Sequence, residues 1–480
     1  MAFSKAPSQD TYQSQELKLI EAFAARTNSL EKDPILVNGF YELISNKSTK
    51  DESYRAVKRD GCAAFSYVPE SANIRGMYFW EDQNKLYVAY DTYVDVVTAT
   101  TGTRTAHLNL FAAGTGPVAF TEFYYDNGST KIVVGDGAKL FTIDSSDVSV
   151  QSTDPDLPSS FIPSLVFLDG YLFLIKSGTS DIYNSTLNDP LAWVSGDFIT
   201  AEMIPDTLLG ISRLNNYLIA FGSASVEYFF DAGNASGSPL QRNDTPVKHI
   251  GFLGGYATHG NKVFFVGQYA NTTPMLFVLE DFKVDEVNLP QLRRFMDQDI
   301  TYSAAIVTNG GHDFYVVSFG EESFALDLDT KLWAIWKFQT EDNFPITYSA
   351  LVKNTGSYSS VVAVSGKANL YQFSTSVYQD AATNFNFEGV LSKNYFNTHR
   401  QKFMSRLFVL ADKVDTSLNI SYTDDDYENY STERSVSLNT TRPVLHQLGS
   451  FYSRAFKFRQ TDNKPCRLFF FEVDFNIGGR

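Results

Sequence analysis

Residues Tyr217–Gly233 read YLIAFGSASVEYFFDAG, an apolar run from Tyr217 to Phe221, a Gly-Ser-Ala-Ser break at Gly222–Ser225, and a second aromatic run from Val226 to Phe230. Runs this short, rich in aromatic and β-branched residues and separated by turn formers, read as two strands of a hairpin rather than a helix. The same unit recurs on both sides. It appears as KLYVAYDTYVDVVTATTG from Lys85, KIVVGDGAKLFTID from Lys131, YLFLIKSGTSDIYNS from Tyr171, KVFFVGQ with PMLFVLED from Lys262, DFYVVSFGEESFALDLDTKLWAIW from Asp313, and SVVAVSGKANLYQFS from Ser360. Successive starts lie 46, 40, 46, 45, 51 and 47 residues apart. A near-constant period of small antiparallel units, none able to bury both faces alone, points to a β-propeller. Seven hairpins predict six or seven blades, because one hairpin can lie outside the ring. An ordinary β-sandwich is the competing arrangement, and the regular period favours the propeller.

Outside the repeats the texture changes. Between Tyr12 and Leu30, Leu17, Ile20, Phe23 and Ala24 fall at helical spacing, which predicts an amphipathic helix at the start of the chain. From about Asn384 onward RLFVLADKV, SLNISYT, RAFKFRQ and RLFFFEVDF alternate as strands, which predicts a second, sandwich-like β domain joined by a strand at Ile35–Val37. The expected division is residues 1–60 (helix and strand, part of a platform), 61–380 (propeller) and 381–480 (the rest of the platform).

Composition excludes several classes. With 43% hydrophobic and 20% charged residues, 40 Phe and 27 Tyr, the chain is too apolar to be disordered. Its net charge of −16 argues against a nucleic-acid-binding protein, which needs Lys and Arg to displace counterions from phosphates. Residues 393–480 carry 13 Lys/Arg against 10 Asp/Glu, so the net −19 of residues 1–392 belongs to the propeller side. Cys62 and Cys466 form no CxxC pair, Met1–Lys5 begins no signal peptide, and no apolar run is long enough to span a bilayer. The expectation is therefore a chain made in a cytoplasm, with no disulfide framework and no membrane segment.

Motifs for catalysis are scarce. His107, His249, His259, His312, His399 and His446 stand singly, and no HExxH, GxSxG, P-loop or strand-borne GxGxxG occurs, so no catalytic, cofactor or metal residues are assigned. Gly254–Gly255 and Gly310–Gly311 read as turns. Ser421–Asp426 (SYTDDD) is similar to the Asp-box turn of sialidase propellers, but it occurs once and lacks the Gly and Trp of that motif, so a solvated hairpin tip is the better reading. Glu227 and Asp231 are carboxylates of the kind that pair in glycoside hydrolysis, and sequence does not give their separation. Arg293–Arg294 and His399–Lys402 are short basic patches, better read as loops or protein contacts than as a nucleic-acid stripe.

NNYLIAFGSASVEYFFDAGNASGSPLQR, Asn215–Arg242, resembles the signature strand pair of the tail hub or nozzle proteins of short-tailed bacteriophages, the packaged-DNA stabilisation family. GYLFLIKSGTSDIYNSTLNDPLAWVSGDFITAE before it and HIGFLGGYATHGNKVFFVGQ after it are similar to the flanking segments in the same order. SYTDDDYENYSTERSVSL and LGSFYSRAFKFRQTDNKPCRLFFFEVDF match the C-terminal pattern, so the resemblance spans about Gly170 to Arg480, with a weaker trace at LVNGFYE from Leu36. It departs at Lys58-Arg59-Asp60-Gly61, where the family has a Thr-Pro-Gly-like turn. The resemblance implies a structural virion protein and not an enzyme: a homo-oligomeric ring, usually a hexamer, hung below the portal and its adaptor in the virion tail. Propellers would surround a channel for double-stranded DNA, the chain's ends would form a docking platform, and a tail fibre, tailspike or tip protein would attach. The acidic side would then line a conduit that repels its cargo, with lumen and interface residues unassigned. The rival reading is a glycan-binding propeller or receptor-binding tail protein.

Overall fold

A computed structural model describes residues 12–19, 35–44, 53–112, 114–234, 236–287, 296–297, 300–354 and 356–478. The chain divides into a repeat unit, residues 64–323 and 344–373, and a terminal unit gathered from residues 1–63, 324–343 and 374–480.

Among the described residues of the repeat unit, seven antiparallel modules follow one another. Five are complete four-stranded sheets in sequence order, the first running through Ile74–Trp80, Lys85–Tyr90, Tyr93–Thr98 and Thr103–Asn109. The sixth contributes the hairpin Ser303–Asn309 and His312–Phe319, and the seventh contributes Ile346–Asn354, Ser357–Val364 and Leu370–Ser374. The quoted repeats are the second and third strands of these modules. First strands of successive modules are neighbours, the fourth and fifth joined by Tyr256 donating to Ser212 Oγ at 2.6 Å, and the seventh returns to the first. The unit is thus a closed β-propeller, which resolves the expected six or seven blades to seven.

The second strands explain why the period is legible. Alternate side chains enter different interblade layers: Leu86, Val88 and Tyr90 pack toward the seventh blade, whereas Tyr87 and Ala89 pack toward the second. Leu218 and Ala220 likewise join the layer shared with the third blade, and Ile219 and Phe221 join that with the fifth. A strand buried on both faces must be apolar at every position, hence the continuous runs. Tight turns complete the hairpins. Leu168 pairs with Tyr171 across Asp169–Gly170, both at positive φ (48° and 87°), as a two-residue hairpin of the primed type requires.

Ring closure is explicit. The Phe65 N–H donates to the Leu370 carbonyl at 2.8 Å, and Phe65, Tyr67, Leu86, Val352, Val361 and Leu370 share one buried cluster. At the surface Glu81 takes Lys353 at 3.1 Å and the Tyr358 hydroxyl at 2.6 Å.

The described residues of the terminal unit form two sheets. One runs Gly39–Ile44, Ser53–Lys58, Arg467–Ile477, Lys402–Ala411 and Val444–Phe451, with Tyr12–Lys18 also on Arg467–Ile477. The other includes Trp333–Ile335, Ile35–Val37, Phe387–Val390, Ala455–Gln460, Ser417–Thr423 and Arg434–Ser437 in that order. Phe471 of the first packs edge-on against Phe456 and Phe458 of the second, at 6.4 and 6.1 Å, as in a sandwich core.

The helix expected from Tyr12 is a correction: Tyr12–Lys18 is an antiparallel strand, registered from Tyr12 opposite Asn476 to Lys18 opposite Phe470. Leu17 and Leu19 point inward while Ser14, Glu16 and Lys18 are exposed, a period of two that the neighbouring Ile20 disguises as a helical one. An open sheet edge pairs this seven-residue strand along its whole length and bonds the backbone groups that face it, outweighing weak helical spacing. Ile20, Phe23 and Ala24 lie outside the described residues.

One ion pair ties the terminal unit together. The Arg59 guanidinium, fully buried, forks onto Asp380 at 2.6 and 3.0 Å, donates to Asn38 Oδ1 at 3.1 Å and to the Lys337 carbonyl at 2.9 Å, and lies 4.0 Å over the Phe385 ring. Asp380 also accepts the Cys62 and Gln339 N–H groups, both at 3.2 Å. The Lys-Arg-Asp-Gly segment is therefore a junction of all three chain segments of this unit. Arg59→Met leaves a buried carboxylate uncompensated and is expected to cost about 3–5 kcal/mol, part of it recovered in Arg59→Met/Asp380→Leu. Chemical denaturation of the three proteins checks both values.

Candidate functional site

The repeat unit holds an axial pocket of about 310 Å³, formed where first strands of the first five blades converge. Its polar groups are Tyr78, Thr121, Glu122, Tyr124, Ser212, Arg213, Tyr256 and Thr258. Each comes from a strand whose alternate residues are locked into interblade layers, so the backbone holds these side chains on the axis. Glu122 accepts the Tyr78 hydroxyl at 2.8 Å and also that of Tyr124. Arg213 donates to the Asn215 carbonyl at 2.9 Å and the Phe167 carbonyl at 3.2 Å. Ser164 Oγ, one strand away, donates to the Ile211 carbonyl at 2.8 Å and accepts the Ile211 N–H at 3.0 Å, stitching the third blade to the fourth.

The terminal unit holds a larger groove, about 950 Å³, floored by Phe408, Leu410, Pro443 and Phe470. Arg442 covers the Phe408 ring at 4.0 Å, and Lys413 and Glu472 stand on the rim. Charge separates the two units. The repeat unit carries 30 Asp/Glu against 15 Lys/Arg, net −15, and the terminal unit 25 against 24, net −1. Most of the acidity thus sits on the propeller, and net −4 of what a cut at residue 392 assigns to it belongs to residues 324–343 and 374–392 of the terminal unit.

The residues singled out in sequence turn out to hold structure. Glu227 is buried and accepts the Met203 N–H at 3.1 Å, with Arg242 3.8 Å away, so it anchors the connection between the third and fourth blades. Burial raises its pKa, opposed by Arg242 and by backbone N–H groups of Met203 and Ile204. Asp231 accepts the Gly233 N–H at 2.7 Å and closes a turn. The Phe-Gly-Ser-Ala-Ser break is also explained: a Cβ on Gly222 would stand 2.2 Å from the Asp206 carboxylate, which accepts the Ala224 N–H at 2.6 Å.

In the terminal unit, Asp424 forks onto Arg454 at 2.8 Å twice. Asp425 caps the turn through the Asn429 backbone and side chain and Thr423, which hold its carboxyl down to about 2. Of the basic run His399–Lys402, Lys402 is buried, its ammonium donating to the carbonyls of Thr398, Arg400 and Tyr452 at 2.7, 2.8 and 2.7 Å. Cys62 and Cys466 are buried free thiols, and burial pushes Cys466 up to about 12. Arg293–Arg294 lie outside the described residues. Among the histidines, His107 Nδ1 donates to Asp95 Oδ1, 2.6 Å away, and His259 lies 3.4 Å from Asp313.

A protein-family model described as Phage_stabilise, Bacteriophage P22 Gp10, beta-propeller, matches residues 71–378. No curated protein matches the chain. Solved structures similar to it include virginiamycin B lyase from Staphylococcus aureus, with 11% identity, TM-score 0.43, and coverage of 64% of this chain and 96% of that one. The N-terminal domain of Nup159 (10%, TM-score 0.41, 70% and 98%) and BBS1N in complex with ARL6DN (10%, TM-score 0.44, 66% and 97%) are similar at the same level.

Because the folded state raises the Glu227 pKa, its contribution favours folding below the ordinary value of 4.5 and is lost as pH rises through the raised one. Glu227→Gln keeps an acceptor for Met203 and removes that loss, so its Tm at neutral pH is expected to equal or exceed the parent's. Glu227→Leu, without an acceptor, is expected to melt lower. Thermal melts of the three proteins at neutral and acidic pH check the ordering.

Proposed function

The chain belongs to the family described as Phage_stabilise, Bacteriophage P22 Gp10, beta-propeller, and from that premise we propose that it is a tail hub, or nozzle, subunit of a short-tailed phage. Copies assemble, six to a ring, below the portal adaptor, extend the DNA channel, help retain the packaged genome and guide its exit. The terminal unit serves as the platform toward the adaptor, and a fibre, tailspike or tip protein attaches to the ring. The protein is a structural virion component and acts without catalysis.

The observation that carries this reading is the concentration of net −15 on a closed propeller in a family named for phage stabilisation. An acidic surface offers duplex DNA no counterion-release attraction, so DNA beside it slides rather than sticks. The conduit must run between copies. The major groove of a duplex alone is about 12 Å wide, too large for an axial pocket of about 310 Å³. The near-neutral terminal unit, with its apolar groove, suits protein contacts better than DNA contacts. No helix among the described residues is long and apolar enough to cross a membrane.

Particles assembled with this gene inactivated are expected to fill and then lose their DNA, as read by nuclease sensitivity and genome content, with retention restored by adding the purified protein. Particles that keep a full genome and a complete tail without it contradict the proposal.

A further inference from the structure

Arg213 stands apart from the other described arginines of the repeat unit. Arg75 lies 4.0 Å from Asp136, Arg104 is 2.7 Å from Glu70, and Arg242 is 2.6 Å from Asp244. Among the described residues Arg213 has no carboxylate at ion-pair distance, although its unit is strongly acidic. It is nonetheless held in place: two N–H groups are spent on the carbonyls of Asn215 and Phe167, and the remainder are left for a ligand. A fixed guanidinium in a concave site is a fork for a planar carboxylate.

The rest of the pocket has the opposite chemistry. The Glu122 carboxylate is oriented by the Tyr78 and Tyr124 hydroxyls and keeps lone pairs to spare, so it accepts from hydroxyl groups. Tyr256 gives its proton to Ser212 Oγ, and its oxygen, also hydrogen-bonded with Thr258, keeps one lone pair as an acceptor. Tyr124 and Tyr256 are 49% and 38% exposed, and they offer aromatic faces beside these polar groups. The volume, about 310 Å³, is at the low end for ligand sites, which run from roughly 300 to 1,000 Å³.

We propose that this axial pocket binds an acidic monosaccharide unit, a hexuronate-type sugar, with Arg213 pairing the carboxylate and Glu122 and the tyrosine oxygens taking the ring hydroxyls. A neutral sugar would leave Arg213 without its partner, and a simple carboxylate would leave Glu122 and the tyrosines idle. Each loses part of the site's hydrogen bonding. The inference is independent of the proposed place in the tail, because it concerns a pocket inside one copy.

The test is titration calorimetry and saturation-transfer NMR on the full chain with sodium glucuronate, glucose and sodium acetate. Glucuronate is expected to bind, with glucose and acetate each weaker by about tenfold or more. Arg213→Gln is expected to weaken glucuronate by about tenfold while leaving glucose unchanged. Glu122→Gln should weaken both sugars, and melting curves show whether each variant keeps its fold. A glucuronate-terminated oligosaccharide that binds as well as the free acid assigns the pocket to a glycan end, and one that does not bind assigns it to a free sugar acid. Glucuronate bound no better than acetate, or equal binding by folded Arg213→Gln and parent, overturns the proposal.

Discussion

No blade of the repeat unit can bury both of its faces alone, and that constraint organises the whole propeller. Each second strand shares its side chains between two interblade layers, as Leu86 to Tyr90 and Leu218 to Phe221 show. The chain must therefore return to its beginning, and Phe65 on Leu370 with the cluster around them does so. Closure leaves the first strands facing a narrow axis, where polar residues are tolerated because only one of their neighbours is a packed layer. The axial pocket is a consequence of closing the ring.

The terminal unit solves a different problem, that of collecting three distant chain segments. Burying Arg59 is costly unless its charge and donors are satisfied, and Asp380, Asn38 and the Lys337 carbonyl do this from separate segments. The group that would be most expensive to bury alone becomes the one that specifies how the segments meet. Lys402, satisfied by three carbonyls, repeats the device near the C-terminal strands.

These differences decide what could be read from sequence. The hairpins were legible because strands buried on both faces are apolar at each position and end at Gly, Asn or Asp. The axial pocket was not legible, since its residues are single polar positions spread over five strands some tens of residues apart. Tyr12–Lys18 is ambiguous in sequence because Leu17 and Ile20 suit a helix as well as Leu17 and Leu19 suit a strand, and the open edge of Arg467–Ile477 decides between the two. Glu227 and Asp424 were visible as acidic residues near turns, but their roles depend on Met203 and Arg454, whose positions the fold alone supplies. Charge was legible as an asymmetry, and the division by unit is less steep than the cut at residue 392 because residues 324–343 and 374–392, with 6 acidic and 2 basic side chains, belong to the terminal unit, whereas residues 1–63 are balanced at 9 and 9.

Family membership, a closed acidic propeller and a near-neutral second unit are the support for the proposed conduit, which would guide DNA without gripping it. In the proposed tail the duplex passes between copies rather than through a propeller axis, because an axial pocket of about 310 Å³ is too small to hold it. Electron cryomicroscopy of the virion tail tests this most directly. The predicted result is a ring of copies below the adaptor, with propellers arranged around a lumen wide enough for duplex DNA and their acidic surfaces toward it. A tail axis without this chain, or a lumen lined by basic surface, would contradict the account.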